Sequence, residues 1–351
     1  MIKRLILSML IVFGFSQINV LAEEGNFSVR PLLPIDQLDN KIPYYYFPIK
    51  GGKVKTLEFV IKNHKNENVI IEVNPANALS NPYGNMHYTE NDKTTFSSFL
   101  TSNYKLAEVT EIKKRIKLGP KEEKVVSFKV KAPNDVNRGQ LLGAIQFQLD
   151  VSSENKRTAS PEDNAAFSVK VKHRYTIGIL ANFPEKVPSK VEIKGSSVDA
   201  KNQIPQIMTE IWNVNPVITK DATLKYKVYS KAKKKEIFNG EKPLYSLAPV
   251  TSLKLPVEWK HKDFKEGDYL IELSLIDNKN NQVLSSKENT FNIKKKDINE
   301  YAEHTNQEDD FIPKAVKDSK WFYNCVGLGL LVLFIVGYMI GRFVSKKQKT
   351  L

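Results

Sequence analysis

The sequence predicts an all-β fold: two tandem immunoglobulin-like β-sandwich domains, followed by one C-terminal transmembrane α-helix. Three observations lead to this prediction. Short runs of alternating apolar and polar residues recur along most of the chain, separated by turns rich in Gly, Pro and Asn. A long apolar segment lies near the C-terminus, and a shorter one lies at the N-terminus. About 300 residues lie between them, which suffices for two domains of ordinary size.

Residues 321–344 have the composition of a membrane-spanning helix. Cys325–Ile340 contains no charged side chain, and a bilayer core needs about 20 mainly apolar residues. Arg342 and three lysines follow with no acid among them. The positive-inside rule therefore predicts that residues 345–351 form a short cytoplasmic tail and that everything before the helix lies outside the cell. A buried core helix is the alternative, but such helices seldom sit at a terminus flanked by lysines.

Residues 1–22 have the three parts of a secretory signal peptide. Lys3 and Arg4 form the charged region, Leu5–Phe15 forms the apolar region, and small residues precede a cleavage site after Ala22. The apolar run is too short to span a bilayer. Together the two ends predict a single-pass type I protein of the cell membrane, with an extracellular part that begins at residue 23.

Charge and cysteine content limit the partners of the extracellular part. Of the 53 basic residues, six lie in the two end segments, so the extracellular part has 47 basic and 39 acidic residues. This modest excess suits an anionic polymer such as a cell wall, and equally suits solubility. Nucleic acid is not expected, because the part is exported and its basic residues alternate with acids. The single cysteine, Cys325, lies in the membrane segment, and an exported chain without disulfides fits a Gram-positive bacterium.

Residues 23–184 are predicted to form the first sandwich. Thr56–Asn63 and Val69–Val73 alternate between apolar and polar residues, and His64–Asn68 between them has the composition of a hairpin turn. The same pattern recurs around Gly119–Glu122, which predicts a second hairpin.

The second sandwich is predicted to span residues 185–296. Residues 152–163 are polar and Ser-rich, which indicates a linker or a long loop, but the strands that follow can return to the first sheet, so the boundary is placed near Pro184. A stalk is predicted over residues 297–320, because they lack apolar periodicity. The strand candidates of the second sandwich are Lys190–Val198, Gln206–Asn213, Ala222–Tyr229, Leu253–Val257 and Tyr269–Asp277.

Four segments of the first domain carry a resemblance to a known family. Residues 27–37 read FSVRPLLPIDQ, residues 46–49 read YFPI, residues 77–88 read NALSNPYGNMHY and residues 138–145 read RGQLLGAI. In this order they resemble the WxL-interacting proteins of Gram-positive bacteria, which open with Phe-x-Val-x-Pro-x-x-Pro-x-(Asn/Asp)-Gln. Their later motifs are Tyr-Phe-x-Leu, Ala-x-Thr-Asn-x-x-Gly-x-Ile-x-Tyr and Gly-x-x-x-Gly-(Gly/Ala)-Ile.

The resemblance continues into the second domain. Leu247–Ser252 is similar to the Met-Ala-Pro-Asn-Ser motif of the family, and Gly267–Tyr269 matches its Gly-x-Tyr strand entry. The departures are Ser80 in place of Thr and Ala144 in place of the commoner second Gly. The resemblance implies that the first domain binds peptidoglycan. It also implies that the second binds host or partner proteins, and that the chain acts beside secreted WxL-domain proteins.

The sequence contains no pattern typical of catalysis. None of the five histidines belongs to a His-Glu-x-x-His motif or a zinc-spaced Cys/His cluster, and no Gly-x-Ser-x-Gly elbow occurs. Gly51–Lys53 is interpreted as a turn rather than a phosphate loop, and Glu308–Asp310 as a solvated face rather than a cation site. We therefore expect a binding protein, not an enzyme, without metal or cofactor. The alternatives are a protein–protein scaffold that does not bind glycan and a wall-remodelling hydrolase.

Aromatic rings beside amide side chains are what a sugar polymer requires: a flat apolar face to stack on, and hydrogen bonds to hydroxyl and acetamido groups. The alternative for each tyrosine is a place in the core, and for the arginine the capping of a turn. The candidate glycan-binding residues are Tyr44, Tyr45, Asn77, Tyr83, His87, Tyr88 and Arg138.

A cluster of lysines in the second domain is the candidate site for an acidic partner. The alternative is an exposed hairpin tip that keeps a sheet edge soluble. The lysines are Lys231, Lys233, Lys234 and Lys235.

Overall fold

The computed structural model describes residues 26–150, 174–202, 204–232, 235–260 and 264–311, with side chains as far as residue 303. These ranges hold eighteen β-strands, two short 3-10 helices (Ser102–Tyr104 and Ala107–Val109) and helix α1 (Lys295–Phe311). The strands are β1 (Phe27–Leu32), β2 (Tyr45–Pro48), β3 (Val54–Asn63), β4 (Val69–Ser80), β5 (Met86–Thr89), β6 (Ser97–Phe99), β7 (Thr110–Glu111), β8 (Arg115–Leu118), β9 (Glu123–Lys131), β10 (Gln140–Leu149), β11 (Arg174–Asn182), β12 (Val191–Asp199), β13 (Gln206–Asn213), β14 (Thr219–Ser230), β15 (Lys235–Leu247), β16 (Thr251–Glu258), β17 (Gly267–Asp277) and β18 (Val283–Ile293).

The first sandwich packs two sheets face to face. One sheet has the strand order β1-β3-β9-β7, and the other has the order β2-β11-β10-β4-β5, with β8 also paired to β4. Alternate residues of each strand point into the space between the sheets. On β3 these are Leu57, Phe59 and Ile61, all nearly inaccessible to solvent, and the ring of Phe59 meets that of Phe147 on β10 edge to face at 4.9 Å. Burial of such side chains contributes about 1.5–3 kcal/mol each.

The second sandwich is built in the same way. Its sheets have the orders β15-β14-β17-β18 and β12-β13-β16-β6, and a separate apolar core lies between them. Trp259 lies in this core, where its ring contacts Phe238, Phe264 and Tyr269. The prediction of two β-sandwiches is confirmed. The finer prediction that they are immunoglobulin-like stays a prediction.

Two predicted hairpins are wrong. His64–Asn68 connects β3 to β4, and Gly119–Glu122 connects β8 to β9, but in each case the two strands belong to opposite sheets. Both turns therefore cross the core as arches. An amphipathic strand buries one face in either arrangement, so alternation does not distinguish a hairpin from an arch.

The two sandwiches share strands and buried contacts along a surface that we call the junction. Strand β6 belongs to the first domain in sequence, yet it pairs with β16 and completes a sheet of the second sandwich. The Ser80 Oγ accepts a hydrogen bond from the Ala248 N at 3.0 Å and lies 3.1 Å from the Thr251 Oγ1. Around them Ala78 and Leu142 of the first sandwich pack with Ala248 of the second. The junction is thus both apolar and hydrogen-bonded.

Two glycines allow the backbones to approach closely at the junction. Gly139 has φ +76°, and a Cβ at that position would lie 2.2 Å from the carbonyl oxygen of Pro216. Gly84 has φ +79°, and its Cβ would lie 2.4 Å from the carbonyl oxygen of Pro243. Positive φ and the lack of space both require glycine at these positions.

Helix α1 (Lys295–Phe311) covers the first part of the segment that the sequence predicted to be a stalk, residues 297–320. The Lys294 N donates to the Asp297 Oδ2 at 2.8 Å, which caps the first turn. Ile298 packs against the second core, and the Tyr301 ring contacts Phe264. Packing against the sandwich thus stabilises a helix that has little apolar periodicity of its own.

Several predictions fall outside the described residues: the signal peptide over 1–22, the linker over 152–163 and the transmembrane helix over 321–344. Among the residues that are described, no helix has the length and apolarity needed to cross a bilayer.

The close contact at Gly139 leads to a testable prediction. We expect Gly139→Ala to lower the free energy of unfolding by at least about 2 kcal/mol, because the new methyl group collides with Pro216 and the positive φ is strained. Urea denaturation followed by circular dichroism measures this. Gly195→Ala on β12 is the matched control, since no atom lies within 4 Å of its Cβ position. Equal effects of the two substitutions would contradict the role given to the junction.

Candidate functional site

The outer face of the larger sheet of the first sandwich carries a cluster of tyrosines. Phe47 on β2 and Ile49 just beyond it are buried in the core. Because side chains alternate along a strand, Tyr45 also points inward, whereas Tyr44 and Tyr46 point to the outer face. Both of these outer rings are half-buried and pack on the apolar residues of the junction.

A third tyrosine, Tyr88 on β5, completes this cluster, which we call the tyrosine face (Tyr44, Tyr46 and Tyr88). Gly178 on β11 lies beneath it. A Cβ on Gly178 would be 3.5 Å from the Tyr44 Cβ and 3.7 Å from the Tyr88 hydroxyl oxygen, so the two side chains converge over this glycine. Burial, and secondarily the neighbouring Tyr44, raise the pKa of Tyr88. The Tyr88 hydroxyl therefore stays protonated at neutral pH and can both donate and accept hydrogen bonds.

Amide side chains border the tyrosine face. The Asn182 Nδ2 donates to the Tyr46 hydroxyl oxygen at 3.0 Å, and the Gln140 Nε2 donates to the Asn182 Oδ1 at 3.1 Å. The Gln140 Oε1 in turn accepts from the Ile218 N of the second sandwich at 2.9 Å. The face thus holds aromatic rings and amides in fixed positions, and its edge reaches the junction.

Two of the predicted glycan-binding residues are structural, so these predictions are wrong. Tyr45 has 0% exposure, and its hydroxyl donates to the Glu58 carbonyl oxygen at 2.5 Å. Burial and the charge of Glu58 raise its pKa. Asn77 is 2% exposed, and its Oδ1 accepts from the Ala107 N at 2.9 Å. Neither side chain can reach a ligand in this fold.

Tyr83 and His87 occupy different positions from the tyrosine face. Tyr83 is 80% exposed, in a loop whose Gly84 contacts the second sandwich. His87 on β5 is half-buried, and burial lowers its pKa. Its buried Nδ1 has no hydrogen-bond partner among the described residues.

Arg138 lies on a cleft of about 440 Å³ between the two sandwiches. Asp135 and Glu185 line the same cleft, and the Tyr104 hydroxyl donates to the Arg138 carbonyl oxygen at 3.1 Å. The arginine side chain is exposed but has acids beside it, which lowers its attraction for an anionic group. The structure therefore brings Tyr44 and Tyr88 together and leaves the other predicted residues apart.

The lysine cluster lies at the end of β14 and the start of β15. Lys231 and Lys235 are exposed there, and Lys233 and Lys234 lie outside the described residues. For metals, the described residues contain no group of three or more His, Cys, Asp or Glu side chains placed to hold an ion.

Sequence reasoning missed Tyr46, Asn182 and Gln140 as members of the site. A signal for Tyr46 was present: Phe47 and Ile49 are the most apolar residues of this segment, so they fix which side of β2 faces the core. No local signal marks the amides, because they are brought to the tyrosines by strands far away in sequence.

Some solved structures match most of this chain but share little of its sequence. The class 5 fimbriae chaperone CfaA is 12% identical over 71% of this chain and 92% of its own, with a TM-score of 0.28. The CsuC–CsuE chaperone–tip adhesion subunit complex of Acinetobacter baumannii is 10% identical over 76% and 99%, with a TM-score of 0.32. With TM-scores this low, neither structure informs fold or function here. No curated protein matches the chain.

Two family models match nearly the whole described part of the chain. The peptidoglycan-binding domain of WxL-interacting proteins matches residues 27–149, and the host-binding domain of the same proteins matches residues 164–303. The order of the two domains agrees with the order of the two sandwiches, although β11 and β6 each lie in the match to one domain and in a sheet of the other sandwich. The chain therefore belongs to the family of WxL-interacting proteins, with a peptidoglycan-binding domain followed by a host-binding domain.

Proposed function

We propose that this chain is a membrane-anchored binding protein of the cell surface whose first sandwich holds peptidoglycan at the tyrosine face. The observation that carries the proposal is the convergence of Tyr44 and Tyr88 over Gly178, with Tyr46 beside them. Three half-buried rings on or beside one sheet offer a sugar chain several stacking positions. The family assignment supports the same ligand class.

The chemistry of the face suits an N-acetylated sugar. Rings supply apolar surfaces for the axial C–H groups of a pyranose, and the tyrosine hydroxyls and bordering amides can bond its hydroxyl and acetamido groups. Because the bordering amides are themselves held by hydrogen bonds, their orientation is set before a ligand arrives. Such preorganisation lowers the entropic cost of binding.

For the second sandwich we propose contact with host proteins and with secreted WxL-domain proteins. The exposed lysines Lys231 and Lys235 at the end of the β14–β15 ribbon suit an acidic partner surface. Wall contact, partner contact and a membrane anchor on one chain would raise one another's effective concentration. We further propose that the protein is not an enzyme, needs no cofactor and does not bind nucleic acid. The domain boundary near Pro184 and the extracellular location in a Gram-positive wall belong to the same proposal.

The glycan proposal is tested by co-sedimentation of the purified full-length protein, in detergent, with insoluble peptidoglycan. We expect Tyr44→Ala to weaken binding about tenfold, because loss of one stacked ring removes about 1.4 kcal/mol of binding free energy. Tyr88→Ala should act similarly, since both rings converge on the same glycine.

Two matched variants separate binding from stability. Tyr83→Ala removes an exposed ring outside the tyrosine face and should leave binding unchanged. Tyr45→Phe removes the buried hydroxyl and should cost about 1 kcal/mol of unfolding free energy while binding stays intact. Binding that survives both alanine variants would favour a scaffold that does not bind glycan. Release of soluble muropeptides by the wild-type protein would instead indicate a hydrolase.

The membrane anchor, which is proposed from sequence alone, gives a separate prediction. Deletion of residues 321–351 should move the protein from the membrane fraction to the culture medium, because the deletion removes the apolar segment and its basic flank. Immunoblotting of the two fractions measures this. Replacement of the same residues by an unrelated single-pass anchor is the control and should restore membrane retention. Retention without any anchor would count against the prediction.

A further inference from the structure

A second surface of the first sandwich, separate from the tyrosine face, has the features of a peptide-binding edge. It is a groove with a volume of about 720 Å³, which we call the β8–β9 groove. Residues of and just before β8 form one wall, and residues of β9 form the other. None of its lining residues belongs to the tyrosine face.

The groove exists because the chain changes sheets between β7 and β8. Strand β7 pairs with β9, but only at Lys129 and Val130. The chain then crosses to the opposite sheet, where β8 pairs with β4. Along Lys124–Phe128, β9 is paired with β3 on one side, and no described strand pairs with it on the other.

This stretch of β9 is an open sheet edge. In a β-strand, about half of the backbone N–H and C=O groups point to each side. Within the described part of the chain, those of Lys124–Phe128 that point away from β3 have no strand partner and can pair with another extended segment. At about 3.3 Å per residue the open edge is roughly 17 Å long, which accommodates a short strand. Such edges are recognised by strand addition, in which backbone hydrogen bonds supply affinity and side-chain positions supply specificity.

The charged side chains that line the groove are all cations. Lys113, Lys117 and Lys124 line it, and within the described part of the chain none of the three forms an ion pair. A fourth cation, Arg115, pairs with Asp150. The described residues that line the groove include no carboxylate. The walls therefore favour an acidic ligand.

The groove also has an apolar floor. Ile116 belongs to the buried core, and Val126 packs against that core. Its neighbour Val125 points to the opposite face of β9 and is 54% exposed, which adds apolar surface at the rim of the groove. A ligand that covered these residues would bury apolar surface in addition to pairing with the lysines.

We propose that the β8–β9 groove binds an extended segment of a partner protein in which apolar and acidic side chains alternate, and that this segment adds as a strand to β9. The apolar residues of such a segment contact Ile116 and Val126, and its acidic residues pair with the lysines that line the two walls. A polyanion would use the lysines but neither the open backbone nor the floor. The proposal does not depend on glycan binding at the tyrosine face.

The test uses the full-length protein in detergent and a short fluorescent peptide in which valine and glutamate alternate. Fluorescence anisotropy should show saturable binding, and hydrogen–deuterium exchange should show protection of Lys124–Phe128. The double substitution Lys117→Glu with Lys124→Glu should weaken binding about tenfold, since two attractive pairs become repulsive. Lys129→Glu is the matched control on the same strand, because Lys129 lies where β7 covers the edge, and it should leave the affinity within about twofold.

Two further ligands test whether the β8–β9 groove recognises its ligand as an extended strand. A peptide of the same charge with central prolines cannot pair with β9 and should not bind. Inorganic polyphosphate should compete weakly at most and should not protect the β9 amides. Equal binding of the proline peptide, displacement by polyphosphate with no amide protection, or no binding of the alternating peptide would each overturn the proposal.

Discussion

The buried junction between the sandwiches is the constraint on which the rest of the structure depends. Ser80 bonds across it to Ala248 and lies beside Thr251, and removal of such a buried polar contact leaves a donor without water, at a cost of about 1–3 kcal/mol. Three of the segments that carry the family resemblance meet here. Residues 77–88 and 138–145 approach residues 247–252 and the loop at Pro216. These motifs therefore describe how the domains are joined more than how a ligand is held.

The fold class followed from the sequence because strand alternation is a local property. It yielded two sandwiches and most of their strands. It did not show which strands pair, since an arch and a hairpin have the same alternation. Nor did it predict β6 in the second sandwich or helix α1. Both are stabilised by contacts with segments remote in sequence, and tertiary packing of this kind overrides weak local preference.

The sequence predicted which types of residue form the candidate site, but it did not predict all of the residues that belong to it. Aromatic and amide residues were expected, and Tyr44 and Tyr88 do lie together. Tyr45 was included because it was not decided which face of β2 points into the core. Phe47, two residues further along the strand, already indicates that Tyr45 lies on the buried face. Asn77 has the residue type of a ligand contact, but its amide oxygen bonds the backbone at Ala107. Whether a polar side chain serves the fold or a ligand depends on neighbours that the sequence does not place nearby.

The position of strand β6 limits where the chain can be cut into separately folded fragments. The match to the host-binding domain begins at residue 164, whereas β6, which completes a sheet of that sandwich, ends much earlier at Phe99. A fragment cut at the sequence boundary would lack this strand and expose the edge of β16 at Thr251–Leu253. Bare edges of this kind pair with other copies and promote aggregation. Recombinant production of the second domain should therefore keep the first domain attached, because the domain defined by sequence similarity and the folded sandwich do not have the same boundaries in this protein.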